Sequence, residues 1–239
     1  MKYVILFATL LALSGAGSAQ DSWQDKIDTA FGTSLTTGQD DLSAVYVKIT
    51  SDATIPAQHY WEAYACYRRA IIALVNEDMD QGQQMVQRGI DVLKAREELT
   101  SEDHALLASL LGMLIVFDES RAMPLAMESG KHFQTALSKD DQNMRAYLGL
   151  GRGDFYTPVE YGGGQVVERH LQKALALPAA ASDDPNAPSW GRDEAFMFLA
   201  MYYQREKRKA EGILTCKRGL NEFPEHSELK RILGELQKS

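Results

Sequence analysis

The 239-residue chain sets 25 Lys and Arg against 33 Asp and Glu, a formal net charge of -8. That acidic balance opposes binding to nucleic acid or to an anionic membrane surface, and no Lys/Arg cluster with interleaved aromatics compensates for it. The nearest cluster, Arg205-Glu206-Lys207-Arg208-Lys209, reads as a solvated turn between helices.

The chain opens with Lys2, the apolar run Tyr3 to Leu13 and the small-residue stretch Ser14 to Ala19. This is a signal-peptide pattern over residues 1–19, with cleavage expected after Ala19. The apolar run falls short of the about 20 residues that cross a bilayer. Gln20, not a cysteine, stands directly after the expected cleavage point, and no later segment is apolar enough to span a membrane. The expectation is therefore a periplasmic or secreted chain with no membrane insertion after cleavage. Losing Lys2 and no acid takes the net charge from -8 to -9.

Residues 20–56 are expected to form an N-terminal helical cap, with Gly32 to Asp41 as a mobile connection, and residues 57–239 a helical-repeat domain. Apolar residues recur three and four apart, as in Leu42/Val45/Tyr46/Ile49, Met85/Gly89/Val92/Leu93 and Phe196/Leu199/Ala200/Tyr203. No run alternates as a strand would. Breakers fall at helix-length intervals: Ile55-Pro56, Asn76-Glu77-Asp78, Thr100-Ser101, Asp140-Asp141, Thr157-Pro158, Pro178, Pro185 to Pro188 and Glu222-Phe223-Pro224. Ser101-Glu102-Asp103 and Ser182-Asp183-Asp184 supply cap or turn chemistry. The fold class is all-α, a string of antiparallel helix pairs.

Counted from Asp193, Phe196, Leu199, Ala200 and Tyr203 fall at large-large-small-large offsets, then Gly212, Cys216 and Gly219 at close-packing positions, with Pro224 at the end. This resembles the tetratricopeptide repeat, a 34-residue helix pair. A unit from Met144 carries Tyr147, Leu150, Gly151, Leu171 and Ala174; the unit before it carries Met113, Phe117, Phe133 and Ala136; a weaker one uses Arg69, Ile72, Ala73, Gly89 and Val92. The expected repeats are 66–99, 110–143, 144–181 and 193–226, and the resemblance implies a right-handed TPR-like α-solenoid. Asp154 stands where the family usually has tyrosine, and an extra stretch, Ser182 to Arg192, separates the last two units.

The resemblance implies that the first helix of each unit lines a concave, partner-binding groove. Those positions are Arg145, Leu148, Arg152, Phe155 and Tyr156 in the Met144 unit, and Met197, Met201 and Arg205 in the Asp193 unit. Arginines beside aromatics suit an acidic or aromatic partner through bidentate hydrogen bonds and stacking. The loop Tyr161-Gly162-Gly163-Gly164 resembles one in exported bacterial tetratricopeptide proteins. Its glycines either offer N–H groups to a carboxylate or phosphate, or accommodate a positive-φ turn packed under Tyr161; the second reading is favoured. Tyr60, Trp61, Tyr64 and Tyr67 suggest sugar stacking or, more simply, a core stripe at helical spacing.

Cys66 and Cys216 sit several units apart, beyond the about 7 Å that a disulfide tolerates, so both are expected as buried free thiols. His59, His104, His132, His170 and His226 are scattered singly. Hence no metal site or cofactor is expected. No nucleophile elbow, His-Glu-x-x-His or Cys/His metal spacing occurs. The expected function is a non-enzymatic periplasmic or secreted scaffold that binds another protein or peptide, and not nucleic acid, through the concave face. The alternative is an accessory protein of a solute uptake system that binds a small organic ligand.

Overall fold

The computed structural model describes residues 22–55, 57–179, 184 and 186–238. The expected leader, residues 1–19, and part of the Ser182-Asp183-Asp184 turn lie outside the described residues. The described residues form eleven α-helices and no strand. They are α1 (Trp23–Thr37), α2 (Asp41–Ser51), α3 (Gln58–Val75), α4 (Met79–Lys94), α5 (Ser101–Phe117) and α6 (Ala122–Lys139). The chain continues through α7 (Met144–Tyr156), α8 (Val167–Ala176), α9 (Arg192–Arg205), α10 (Lys209–Glu222) and α11 (Ser227–Lys238).

Local chemistry sets the helix ends. Ser22 and Asp25 form a capping box at α1, and Thr100 and Asp103 form another at α5, so the cap falls one residue before Ser101. The Asp40, Asp78 and Asn143 side chains accept the backbone N–H of Ser43, Gln81 and Ala146 at the starts of α2, α4 and α7. These acceptors satisfy N–H groups that a helix start leaves without partners.

α3/α4, α5/α6, α7/α8 and α9/α10 pack as successive pairs; α1 and α2 pack on α3, and α11 closes the other end against α9 and α10. The result is an all-α helical-repeat solenoid. Pairs that begin at residues 58, 101, 144 and 192 are 43, 43 and 48 residues apart (101−58, 144−101, 192−144). The longer step explains why units of 34 residues, expected to start at residues 110 and 66, begin inside α5 and α3: α3, α5 and α6 run 18, 17 and 18 residues. The later pairs begin at Met144 and Arg192.

Small residues let neighbouring helices touch. A Cβ on Gly219 would lie 2.7 Å from Leu229 Cδ1, and one on Gly212 2.8 Å from Leu236 Cδ1. The core runs through all pairs, with Ile27, Phe31, Trp61, Tyr64, Ile71, Leu93, Leu110, Leu171, Phe196 and Ile232 buried. Cys66 and Cys216 are buried free thiols, and burial pushes the Cys66 thiol up to about 12.

Candidate functional site

Side chains from the first helices of the array and from α1 converge on its inner face, and they fill it. Tyr60, Trp61, Tyr64 and Tyr67 of α3 are buried, as the core reading of that stripe expects. Trp190, from the stretch that precedes α9, stacks on Tyr64 at 5.3 Å between ring centroids and donates its indole N–H to the Tyr60 hydroxyl at 2.8 Å. Arg68 Nε donates to Asp28 Oδ1 at 3.0 Å and to the Tyr64 hydroxyl at 2.9 Å, and its Nη1 reaches Glu194 Oε1 at 3.5 Å. Arg152 Nη1 donates to the Tyr67 hydroxyl at 2.7 Å and to Glu194 Oε2 at 3.4 Å. Two guanidinium groups thus face two carboxylates, and desolvation pushes Asp28 and Glu194 above the usual carboxylate range.

This filling corrects part of the groove expectation. Arg145 is 2% exposed: Nε and Nη2 take both Glu102 carboxylate oxygens, at 2.5 and 2.6 Å, and Nη1 donates to the carbonyls of Ala179 and Trp190. A guanidinium buried with four of its five donors committed is out of a partner's reach. Leu148 and Met197 are also buried, because the helices close over them. Arg152, Phe155 and Met201 are half-buried, while Tyr156 and Arg205 reach solvent.

The solvent-facing members gather where α7 and α9 end. The rings of Phe155, Tyr156 and Phe198 meet edge to face, with centroids 5.3–5.8 Å apart. The Arg205 guanidinium lies 4.4 Å from the Phe155 ring centroid and donates to the Phe155 carbonyl at 2.8 Å. The following loop extends this surface into solvent: Tyr156 is 45% exposed, Val159 80% and Tyr161 72%.

The glycines of that loop are structural. Gly162 and Gly164 hold φ of 86° and 85°. A Cβ on Gly163 would lie 1.8 Å from the Thr157 carbonyl oxygen. The N–H groups of Gly162, Gly163 and Gly164 donate to the carbonyls of Val159, Pro158 and Asp154, so none remains to cradle an anion. Asp154 holds the loop as well, because its Oδ2 accepts the Val166 N–H at 2.7 Å.

Sequence reasoning missed Trp190 and Glu194. Trp190 sits in an irregular stretch with no period, and Glu194 in a first helical turn, where acids are common for dipole reasons. Its reach to Arg68, 126 positions away, left no local trace.

No protein-family model matches the chain. No curated protein sequence matches it either. Among solved structures the chain is similar to a thermophilic TPR protein of Thermus thermophilus, with a TM-score of 0.59 and 15% identity over 91% of this chain and 100% of that one. It is also similar to the HusA haemophore from Porphyromonas gingivalis, with a TM-score of 0.54 and 20% identity over 80% and 96% of the two chains. These likenesses establish a tetratricopeptide-like helical-repeat fold.

Proposed function

We propose that this tetratricopeptide-like array is an exported, non-enzymatic scaffold, and that it binds another protein through the edge formed where α7 and α9 end. The fold suggests protein binding in general. The observation that carries the more specific reading is the exposed trio Tyr156, Val159 and Tyr161, displayed at the end of α7 and on the loop after it, whose glycine N–H groups are engaged. The part of these groups left in water contributes nothing to the monomer, and each Å² of it covered by a partner is worth about 25 cal/mol. Met79, Val116 and Met123 are exposed at the corresponding ends of the earlier pairs and extend the same edge.

The neighbouring turn sets the partner's charge. Of the four basic residues from Arg205 to Lys209, Arg205 pairs with Glu206 and Arg208 with Glu168 and Glu211, so the positive charge this turn offers a partner comes from Lys207 and Lys209. An acidic segment with an aromatic or aliphatic anchor complements that surface. Export rests on the leader pattern, and no helix among the described residues is long and apolar enough to cross a membrane.

The test is site-specific photocrosslinking from position 161 in the native envelope fraction. We expect one partner to be captured, and we expect capture to be lost in Tyr156→Ala/Val159→Ala and weakened about tenfold in Lys207→Glu/Lys209→Glu. Capture that is indifferent to both variants removes this edge from consideration. Arg145→Glu is unsuitable as a probe, because reversing a buried charge opposite Glu102 unfolds the chain before it reports on any surface.

A second reading, carriage of a small organic ligand, draws on the haemophore neighbour. An open groove of about 410 Å³ between α8, α9 and α10, lined by Glu168, Leu175, Leu199, Tyr203, Leu214 and Arg218, offers a place for one. A saturable haemin titration that Leu214→Glu abolishes would favour this reading, whereas a linear response would dismiss it.

A further inference from the structure

α5 and α6 are the two helices of one pair, and their antiparallel packing brings together two histidines that lie 28 positions apart in sequence. His104 Nδ1 and His132 Nδ1 are 2.9 Å apart, with the ring centroids at 5.1 Å and the planes inclined by 30°. Both rings are part-buried, so solvent reaches them. Two nitrogens that each sit about 2.0–2.1 Å from a metal are about 2.9 Å apart when they subtend a right angle, and about 3.4 Å apart in a tetrahedron. The observed separation suits the right angle.

We propose that His104 and His132 form a binding site for a divalent transition metal that favours right-angled ligands, Cu(II) above all, with water in the remaining positions. Among the described residues no group of three or more His, Cys, Asp or Glu side chains gathers to hold a metal, so two imidazoles define the site. Cu(II) stands highest in affinity among the first-row divalent ions for a nitrogen site, and square-planar geometry is its preference.

The protonation state is suitable. Desolvation lowers both imidazoles from their usual pKa; nearby Lys139 adds to this at His104, and His104 and Lys94 add to it at His132. Both rings are therefore neutral at pH 7, with one Nδ1–H donating to the other Nδ1. Metal binding needs both Nδ1 lone pairs, so the bridging proton moves to Nε2 of its own ring and none is released. The surrounding charges balance: Asp103 and Glu128 face Lys94 and Lys139, so no net positive field repels a dication. Glu128, one turn before His132, accepts a hydrogen bond from Lys94 at 2.6 Å.

The experiment is titration of the tag-free full chain with CuCl₂ against glycine as a weak competing chelator, followed by electron paramagnetic resonance. We expect one equivalent bound with two-nitrogen hyperfine structure. We expect binding at least tenfold weaker in His104→Gln and in His132→Gln, and unchanged in His59→Gln. A second measurement does not depend on whether the variants fold: imidazole ¹⁵N resonances of the wild type at substoichiometric Cu(II), where His104 and His132 should broaden before His59, His170 and His226. No saturable binding, equal binding by the His104→Gln/His132→Gln double variant, or broadening elsewhere first overturns the proposal.

Discussion

Asp103 accepts hydrogen bonds at both carboxylate oxygens while its side chain is only 2% exposed. Oδ2 takes the Thr100 N–H at 2.9 Å and the Thr100 hydroxyl at 2.7 Å, and Oδ1 meets His59 Nε2 at 3.0 Å. Desolvation alone would raise its pKa, but the His59 and Thr100 bonds outweigh it and hold the carboxyl below its usual value. A carboxylate depressed in the folded state stabilises at pH values above its unfolded pKa, about 3.9, and that contribution is lost as pH falls through the folded value. Asp103→Asn is therefore expected to cost about 1–3 kcal/mol at pH 7. Urea melts of both proteins from pH 7 down to pH 3 should show the gap closing below about pH 4. A gap that is constant with pH would mean that the cap acts through shape and not charge. The sequence made this turn legible through Thr100-Ser101, although it did not show that Thr100 is the cap residue. It also left no sign that His59, 44 positions upstream, completes the cluster, because that contact depends on how α3 and α5 pack.

At the scale of the helix pair, the first and last units use the same turn. Asn76-Glu77-Asp78 and Glu206-Lys207-Arg208 each put the middle residue at φ 59°, and the next N–H reaches back to the Ala73 or Tyr203 carbonyl at 2.8 Å. This is the geometry in which helices commonly end on glycine. An L-residue held there costs about 1–2 kcal/mol, part of which glycine returns through its looser unfolded chain. Glu77→Gly and Lys207→Gly are each expected to stabilise by about 0.5–1 kcal/mol, read as a rise of about 1–4 °C in Tm. A fall in either Tm would show that the carboxylate or ammonium makes a contact worth more than the strain. Both turns were legible, the first as a breaker and the second as a solvated charged turn, since polar runs interrupt the apolar period there. Met144 and Arg192 start pairs with compact first helices, whereas the longer α3, α5 and α6 stretch the repeat beyond a 34-residue count.

On the scale of the whole molecule, the inner face changes what kind of array this is. Units of a helical repeat ordinarily touch only their neighbours, so such chains can open from an end one unit at a time. Here α1 and α3, in the first third of the chain, are tied to the last unit by the Arg68 contacts to Asp28 and Glu194, by Trp190 against Tyr60 and Tyr64, and by the Ser189 N–H donated to Gln24 Oε1 at 2.7 Å. No periodicity announces these ties, because they join residues 126–165 positions apart. Closing the array across its inner face should make unfolding one cooperative transition. Arg68→Met removes the guanidinium and leaves Asp28 and Glu194 buried without it, at a cost of about 3–5 kcal/mol. Because both carboxyls are raised by burial, the folded state binds their protons more tightly than the unfolded chain does. Their charged forms are a liability that grows as pH rises through the unfolded and then the folded pKa, so the variant should regain stability toward acid. The wild type should give coincident urea curves by circular dichroism and by tryptophan fluorescence. In Arg68→Met the fluorescence curve should fall first, as Trp190 and Trp61 are exposed by separation of the ends, and the helical signal should follow at higher urea. Coincident curves in the variant would mean that neighbour packing alone makes the array cooperative and that the ties across the inner face add stability only.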